Sequence, residues 1–154
     1  MSQLPTISNS SPLIGLEQIG QLGLLESLFG TITIPTAVAQ EVSSSVQLPT
    51  WITVRPLTQP LAARVLATSL GPGESEAISL ALEAGNYQVI LDDRAARRLA
   101  QMLGLPIIGT LGIILAAKRQ GLLTVIRPHL DTLIGYGFHL APTIYEQALK
   151  EAGE

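Results

Sequence analysis

The residues with the most chemical potential are acidic or amide-bearing and recur just after short apolar runs: Asn9 and Ser10, Glu41, Asp92 and Asp93, with Thr110 after a further run. In a parallel sheet with helical crossovers, ligands bind beyond the carboxyl ends of the strands, so these are the positions that matter. Glu74 joins them because it is in register with Ile78 and Ala81, at the start of a helical stripe that faces inward. Several carboxylates on one rim repel one another unless a cation neutralises them. Hard oxygen donors select magnesium or manganese over zinc. Such an ion, holding a phosphate oxygen and a bound water, supplies electrophile and nucleophile for phosphodiester hydrolysis without a residue triad.

Each residue also has a purely structural role open to it. Asp93 precedes a helix and suits an N-cap, but one cap does not account for two aspartates, so Asp92 needs another role, at a metal or beside a phosphate. Glu74 in a first helical turn complements the helix dipole. Asn9 is suited to a local Asx turn, and Glu41 borders its helix's buried face. Glu76 and Glu83 lie off the inward stripe and read as solvated surface charges. Among basic residues, Arg94, Arg97 and Arg98 share the exposed side of the helix after Asp93, as an ordinary solvated face, a structural pair with Glu74, or a patch that tracks phosphates. Lys118 and Arg119 end the next helix, where they either complement its dipole or extend that patch. His129 and His139 sit in the C-terminal part, away from the strand ends. Trp51, Tyr87, Tyr136 and Tyr145 form no regular stacking platform.

Three phosphate chemistries are disfavoured. A haloacid-dehalogenase-like phosphatase needs a nucleophilic aspartate after its first strand, where this chain has Asn9. A receiver-like phosphoacceptor needs a late lysine where Gly109-Thr110 stands, and Gly71-Pro72-Gly73 lacks the lysine and spacing of a P-loop.

The elements that must position these residues alternate short apolar runs with amphipathic segments, the pattern of β-α units. The expected order begins with a strand at Thr6-Ile7-Ser8 and a helix capped by Ser11 that carries Leu13, Leu16 and Ile19. A helix at Leu22 to Phe29, a strand at Thr31 to Ile34 and a helix from Pro35 through Val42 come next. Ser43 to Pro60 reads as a loop with an edge strand at Trp51 to Val54. After the Gly71 turn come a helix Glu74 to Ala84, a strand Gln88 to Leu91, and a helix Arg94 to Leu103 with Ala95, Leu99 and Met102 on its apolar face. A strand at Pro106 to Ile108, a helix from Gly109-Thr110 to Gln120, an element near His129 to Ile134 and a helix after Pro142 complete the chain.

The 154 residues suit one domain, 1–154. The absence of cysteine excludes disulfides, thiolate zinc sites and a cysteine nucleophile. A charged fraction of 14% with a mean hydropathy of +0.39 excludes disorder and leaves apolar surface for a partner, with the segment around Leu22 to Phe29 the expected contact. The most apolar stretch, Ile107 to Ala117, is too short to span a membrane, so no membrane association is expected. No basic region followed by an apolar run opens the chain, and the cytoplasm is the expected location. A net charge of -3 requires any RNA binding to use a local basic patch.

The segments SNSSPLIGL from Ser8, IPTAVAQEV from Ile34, LGPGESEAISLALE from Leu70, LDDRAARRLAQMLGLPIIGTLGIILAAKRQGL from Leu91 and the closing GE resemble the PIN-domain superfamily. The likeness is to a prokaryotic branch related to VapC-type toxins. It implies a three-layer α/β/α fold around a mostly parallel sheet of four to five strands. It also implies a magnesium- or manganese-dependent ribonuclease, the toxin of a toxin-antitoxin pair, with RNA, a small antitoxin protein and a second copy of the chain as partners. The acidic set of such a site maps onto Asn9, Glu41, Glu74 and Asp92 or Asp93, with Ser10 and Thr110 in support and Asn9, Glu74, Asp92 and Asp93 as metal donors. Asn9 stands where the resemblance calls for aspartate. An amide oxygen ligates a cation but brings no charge, so a catalytically weak or inactive PIN domain that binds RNA or protein is the alternative.

Overall fold

The computed structural model describes residues 4–154. Its chain order begins β1 (Thr6–Ser8), α1 (Ser10–Gln18), α2 (Leu24–Phe29), β2 (Ile32–Ile34), α3 (Thr36–Val42) and β3 (Ile52–Val54). It continues α4 (Pro60–Leu66), α5 (Pro72–Glu83), β4 (Gln88–Ile90), α6 (Arg94–Met102), β5 (Ile107–Ile108), α7 (Thr110–Arg119), α8 (Arg127–Gly135) and α9 (Pro142–Glu151). The five strands form one sheet in the order β3-β2-β1-β4-β5, and every pairing is parallel. The edge position of β3 agrees with the prolines around it, which leave no full complement of N–H donors for a central strand.

The sheet is sandwiched because its side chains alternate faces. In β4 and just after it, Val89 and Leu91 pack with Ile7, Ala77, Ile78, Ala96 and Ala100 on the side of α5 and α6. Ile90, with Ile32 and Ile34, packs on the other side with Leu13 and Leu16 of α1, Leu25 of α2, Ile113 of α7 and Leu130 of α8. These two cores define a three-layer α/β/α architecture of the kind expected. They also fix where a ligand belongs. The connection after β1 leaves through α1 to the side of α2, α7 and α8, and the connection after β4 leaves through α6 to the opposite side, so a crevice opens beyond the carboxyl ends of these adjacent strands.

Several local expectations are corrected. Helix α4 stands where no helix was expected. Only its Ala63 is buried, while Leu61 and Val65 are exposed, so its sequence carries a weak apolar stripe. What holds its first turn is Glu83, whose carboxylate accepts from Thr58 N at 3.0 Å, Thr58 Oγ1 at 3.1 Å and Gln59 N at 2.6 Å. Glu83 is therefore a capping group rather than a solvated charge. Glu76 is another, accepting from Ala37 N at 3.0 Å at the start of α3. Helix α6 buries Ala96 and Ala100 instead of Ala95 and Met102, and Met102 is 78% exposed. Leu22, Leu24, Leu25 and Leu28 are at most 8% exposed, so the segment expected to meet a partner belongs to the chain's own core. Helix α1 begins two residues earlier than expected, with Asn9 rather than Ser11 at its N-cap.

Candidate functional site

The floor of the crevice is the end of β1. Asn9 donates its backbone N–H to Ile90 O at 3.1 Å, which ties it to β4, and its side chain makes no capping bond to α1. The amide is thus left to face the crevice, at 5% exposure. Beside it Ser10 Oγ donates to Glu41 Oε1 in a short hydrogen bond, fixing the carboxylate that α3 supplies in its last turn. The first turn of α5 closes over both. A Cβ at Gly73 would run into Glu41 Oε1 and lie 3.1 Å from Asn9 Oδ1, so only glycine lets the helix approach this closely.

Glu74, the next residue of α5, sits among like charges. Burial, the charge of Asp93, a hydrogen bond shared with Asp93 and the more distant charge of Glu41 raise its pKa, against a lowering contribution from the Gly71 backbone. Asp93 also caps α6, its Oδ2 accepting from Ala96 N at 2.9 Å. The expected N-cap and a site position coincide in one residue. Asp92 is directed elsewhere: its Oδ1 accepts from Thr110 N at 2.8 Å and its Oδ2 from Thr110 Oγ1 at 2.6 Å. Thr110, 1% exposed at the start of α7, holds that carboxylate with two donors.

The structure therefore gathers Asn9, Ser10, Glu41, Glu74 and Asp93 on one side of the crevice and pairs Asp92 with Thr110 on the other. The donors are hard oxygens suited to magnesium or manganese. Their arrangement does not fit a cation as it stands: among the described residues, no three of histidine, aspartate and glutamate are grouped so that they could hold a metal ion. Glu41 is engaged by Ser10, Glu74 by Asp93 and Asp92 by Thr110.

The basic residues divide in the same way. Arg94 and Arg98 are exposed on α6, but Arg97 is half-buried and donates from Nη1 to Leu91 O at 2.8 Å, so it braces the end of β4. Lys118 donates to Thr124 O at 2.7 Å and forms an ion pair with Glu154 at 3.2 Å. It and Arg119 close α7, about 12 Å along the helix axis from Thr110 at 1.5 Å per residue. The structure does not bring them to the crevice.

One group of residues that the sequence did not single out does reach it. A groove of about 900 Å³ runs from Asp92, Asp93 and Arg94 past α1 to Tyr136, Phe138 and His139. His139, expected to lie away from the strand ends, thus lines the same groove as two strand-end aspartates. The one available signal was Gly137, whose positive φ forms the turn just after α8.

No helix among the described residues is long and apolar enough to cross a membrane. No curated protein matches the chain. Residues 5–154 match the family described as DUF3368: PIN domain. Nuclease-like function is associated with the PIN-domain superfamily in general. The parallel five-stranded sheet and the layers on both its faces accord with that match, and the chain belongs to this PIN-domain family.

Proposed function

We propose that this protein is a ribonuclease that hydrolyses RNA phosphodiester bonds at the crevice beyond β1 and β4, in the cytoplasm, with magnesium or manganese as its cofactor. The observation that supports it is the crowding of Glu41, Glu74 and Asp93 around Asn9 and Gly73, which leaves negative charge uncompensated where a parallel sheet binds its ligands. Glu74 keeps its proton to higher pH than an ordinary carboxyl, and this suits it to hold or hand over a proton near the reacting phosphate. Arg94 and Arg98 flank the site as exposed cations for the RNA backbone. A cation would have to draw Glu41 from Ser10 and Glu74 from Asp93. As partners we propose RNA, a small antitoxin protein if the chain acts as a VapC-like toxin, and a second copy of the chain, for which Leu61 and Val65 of α4, 70% and 61% exposed, supply apolar surface.

Asn9 and the lack of three converging metal donors among the described residues favour the alternative, a PIN domain of weak or no activity that binds RNA or protein. Cleavage of single-stranded RNA with and without manganese, by the parent, Asn9→Asp and Asp93→Asn, separates the two. Metal-dependent cleavage by the parent that Asp93→Asn abolishes supports the ribonuclease. A silent parent and a cleaving Asn9→Asp variant assign the native protein a binding role. Silence in all three refutes the acidic crevice as a nuclease site.

A further inference from the structure

The groove that leaves the acidic crevice has two chemically distinct sides. Its crevice end carries Arg94, which also lines a smaller neighbouring cavity of about 280 Å³ together with Arg97 and Arg98. Another part of its lining is aromatic: Tyr136, at the C-cap of α8, is 60% exposed and makes no side-chain hydrogen bond, and Phe138 and His139 follow after Gly137. Gly137 has φ 99°, a conformation that turns the backbone sharply just beyond the ring. Ile14 of α1 and Leu140 supply apolar wall. The volume of about 900 Å³ lies toward the top of the range of about 300 to 1,000 Å³ typical of pockets that enclose a small organic ligand.

We infer that this groove binds the nucleotides of single-stranded RNA next to the scissile phosphate, with one unstacked base lying on Tyr136 and the backbone held at Arg94. The inference rests on the assignment of RNA as the ligand of the crevice. Three features favour a single-stranded nucleic acid over a protein segment. The groove is continuous with the crevice through Asp92 and Asp93, so its occupant extends the chain bound there. Its one lining arginine, Arg94, directly follows Asp93, where a phosphate backbone is needed, and its aromatic residues come from a separate segment after α8, which gives bases a surface of their own. The ring of Tyr136 is exposed at the surface, as a stacking platform requires, and has no side-chain bond to hold it back. Base stacking on such a ring tolerates any sequence, so one tyrosine serves without a repeated aromatic pattern.

The test is fluorescence anisotropy with a labelled single-stranded oligoribonucleotide of about ten residues in EDTA, where cleavage is off. Tyr136→Ala should weaken binding by about 5- to 150-fold, the loss expected for one base stack. Tyr136→Phe should stay within about twofold of the parent, because the ring and not the hydroxyl does the stacking. The same oligonucleotide with abasic residues should bind parent and Tyr136→Ala alike. Thermal melts of both variants should match the parent, since the side chain is exposed. Equal affinity of parent and Tyr136→Ala, an abasic strand bound as tightly as the intact one, or no RNA binding by the folded parent overturns the inference and leaves the groove to a protein partner. Tyr136-dependent binding without any metal-dependent cleavage refutes the ribonuclease and keeps the groove. Metal-dependent cleavage with KM unchanged in Tyr136→Ala does the reverse.

Discussion

Replacing Asn9 by aspartate adds a carboxylate at the point where the crevice is most crowded, and the structure sets the size of the effect. Asn9 Oδ1 and a Glu41 oxygen both lie within 3.1 Å of the position a Cβ would take on Gly73, which puts the two oxygens no more than about 6 Å apart. Two unit charges at about 6 Å repel by about 0.7 kcal/mol in water and about 2.8 kcal/mol at an effective dielectric constant near 20. Asn9 is 5% exposed while Glu41 is exposed, so the repulsion falls between these limits, before Glu74 and Asp93 add to it. The favourable interaction of a carboxylate with the N-terminus of α1, about 0.3 to 1 kcal/mol, offsets only part of it. The net loss is about 1 to 2 kcal/mol, or about 2 to 8 °C in Tm for a chain of this size.

The pH dependence identifies the cause. Repulsion raises the new carboxyl's pKa in the folded state above its unfolded value, so the folded state binds the extra proton. The loss is absent below the unfolded pKa, about 4, and grows as pH rises through the folded value. Calorimetric melts of parent and Asn9→Asp should therefore coincide near pH 4 and diverge by pH 8, and manganese should narrow the gap if it enters the crevice. A variant as stable as the parent at pH 8, or a gap constant from pH 4 to 8, would refute the crowding from which the site was inferred.

Glu74→Gln should raise Tm by about 1 to 4 °C at pH 8 by removing a partly buried carboxylate together with its repulsion from Asp93, about 0.5 to 1 kcal/mol after solvent screening. It should give no gain below the unfolded pKa, because the raised pKa of Glu74 means its penalty develops only as pH rises above 4.5 and it loses its proton in the folded state. Glu83→Ala should strip the cap from α4 and lower Tm by a few degrees, with faster amide exchange confined to residues 58–66. Gly73→Ala should push the Glu41 carboxylate off Ser10 at little cost to folding, since the obstructing atom ends a flexible side chain; its melt should stay near the parent's while metal-dependent cleavage falls. Thr110→Val should cost about 1 kcal/mol in a urea titration by depriving Asp92 Oδ2 of its donor.

Local features were legible in the sequence and distant pairings were not. The runs at Thr6, Ile32, Gln88 and Ile107 are short, β-branched or apolar, and followed by polar or turn residues, so strand positions and the residues beyond them could be read directly. Asp93 as an N-cap followed from its place before a helix. Glu76, Glu83 and Glu154 look like surface charges because the N–H groups they satisfy, at Ala37, Thr58, Gln59, Ile126 and Arg127, are 24 to 39 residues away. Helix α4 was missed for the same reason. Its first turn depends on Glu83, and its own residues expose Leu61 and Val65. The groove needs residues 136–141 to reach α1, a separation of more than a hundred residues that no periodicity encodes.

The two aspartates after β4 mark the limit most sharply. The resemblance offered Asp92 or Asp93 as the site residue, and spacing alone gives no choice between neighbours. In the structure Asp92 turns to the two donors of Thr110, while Asp93 shares a hydrogen bond with Glu74 and caps α6. Asp92 is thus a compensated carboxylate, and Asp93 adds to the charge borne by Glu41 and Glu74. That difference gives Asn9 a physical meaning. A fourth uncompensated carboxylate on the floor would sit within about 6 Å of Glu41, whereas the neutral amide keeps the floor polar and adds no repulsion. Asn9 therefore spares the folded crevice about 1 to 2 kcal/mol of repulsion, and by the same step lowers the negative charge that would attract a cation.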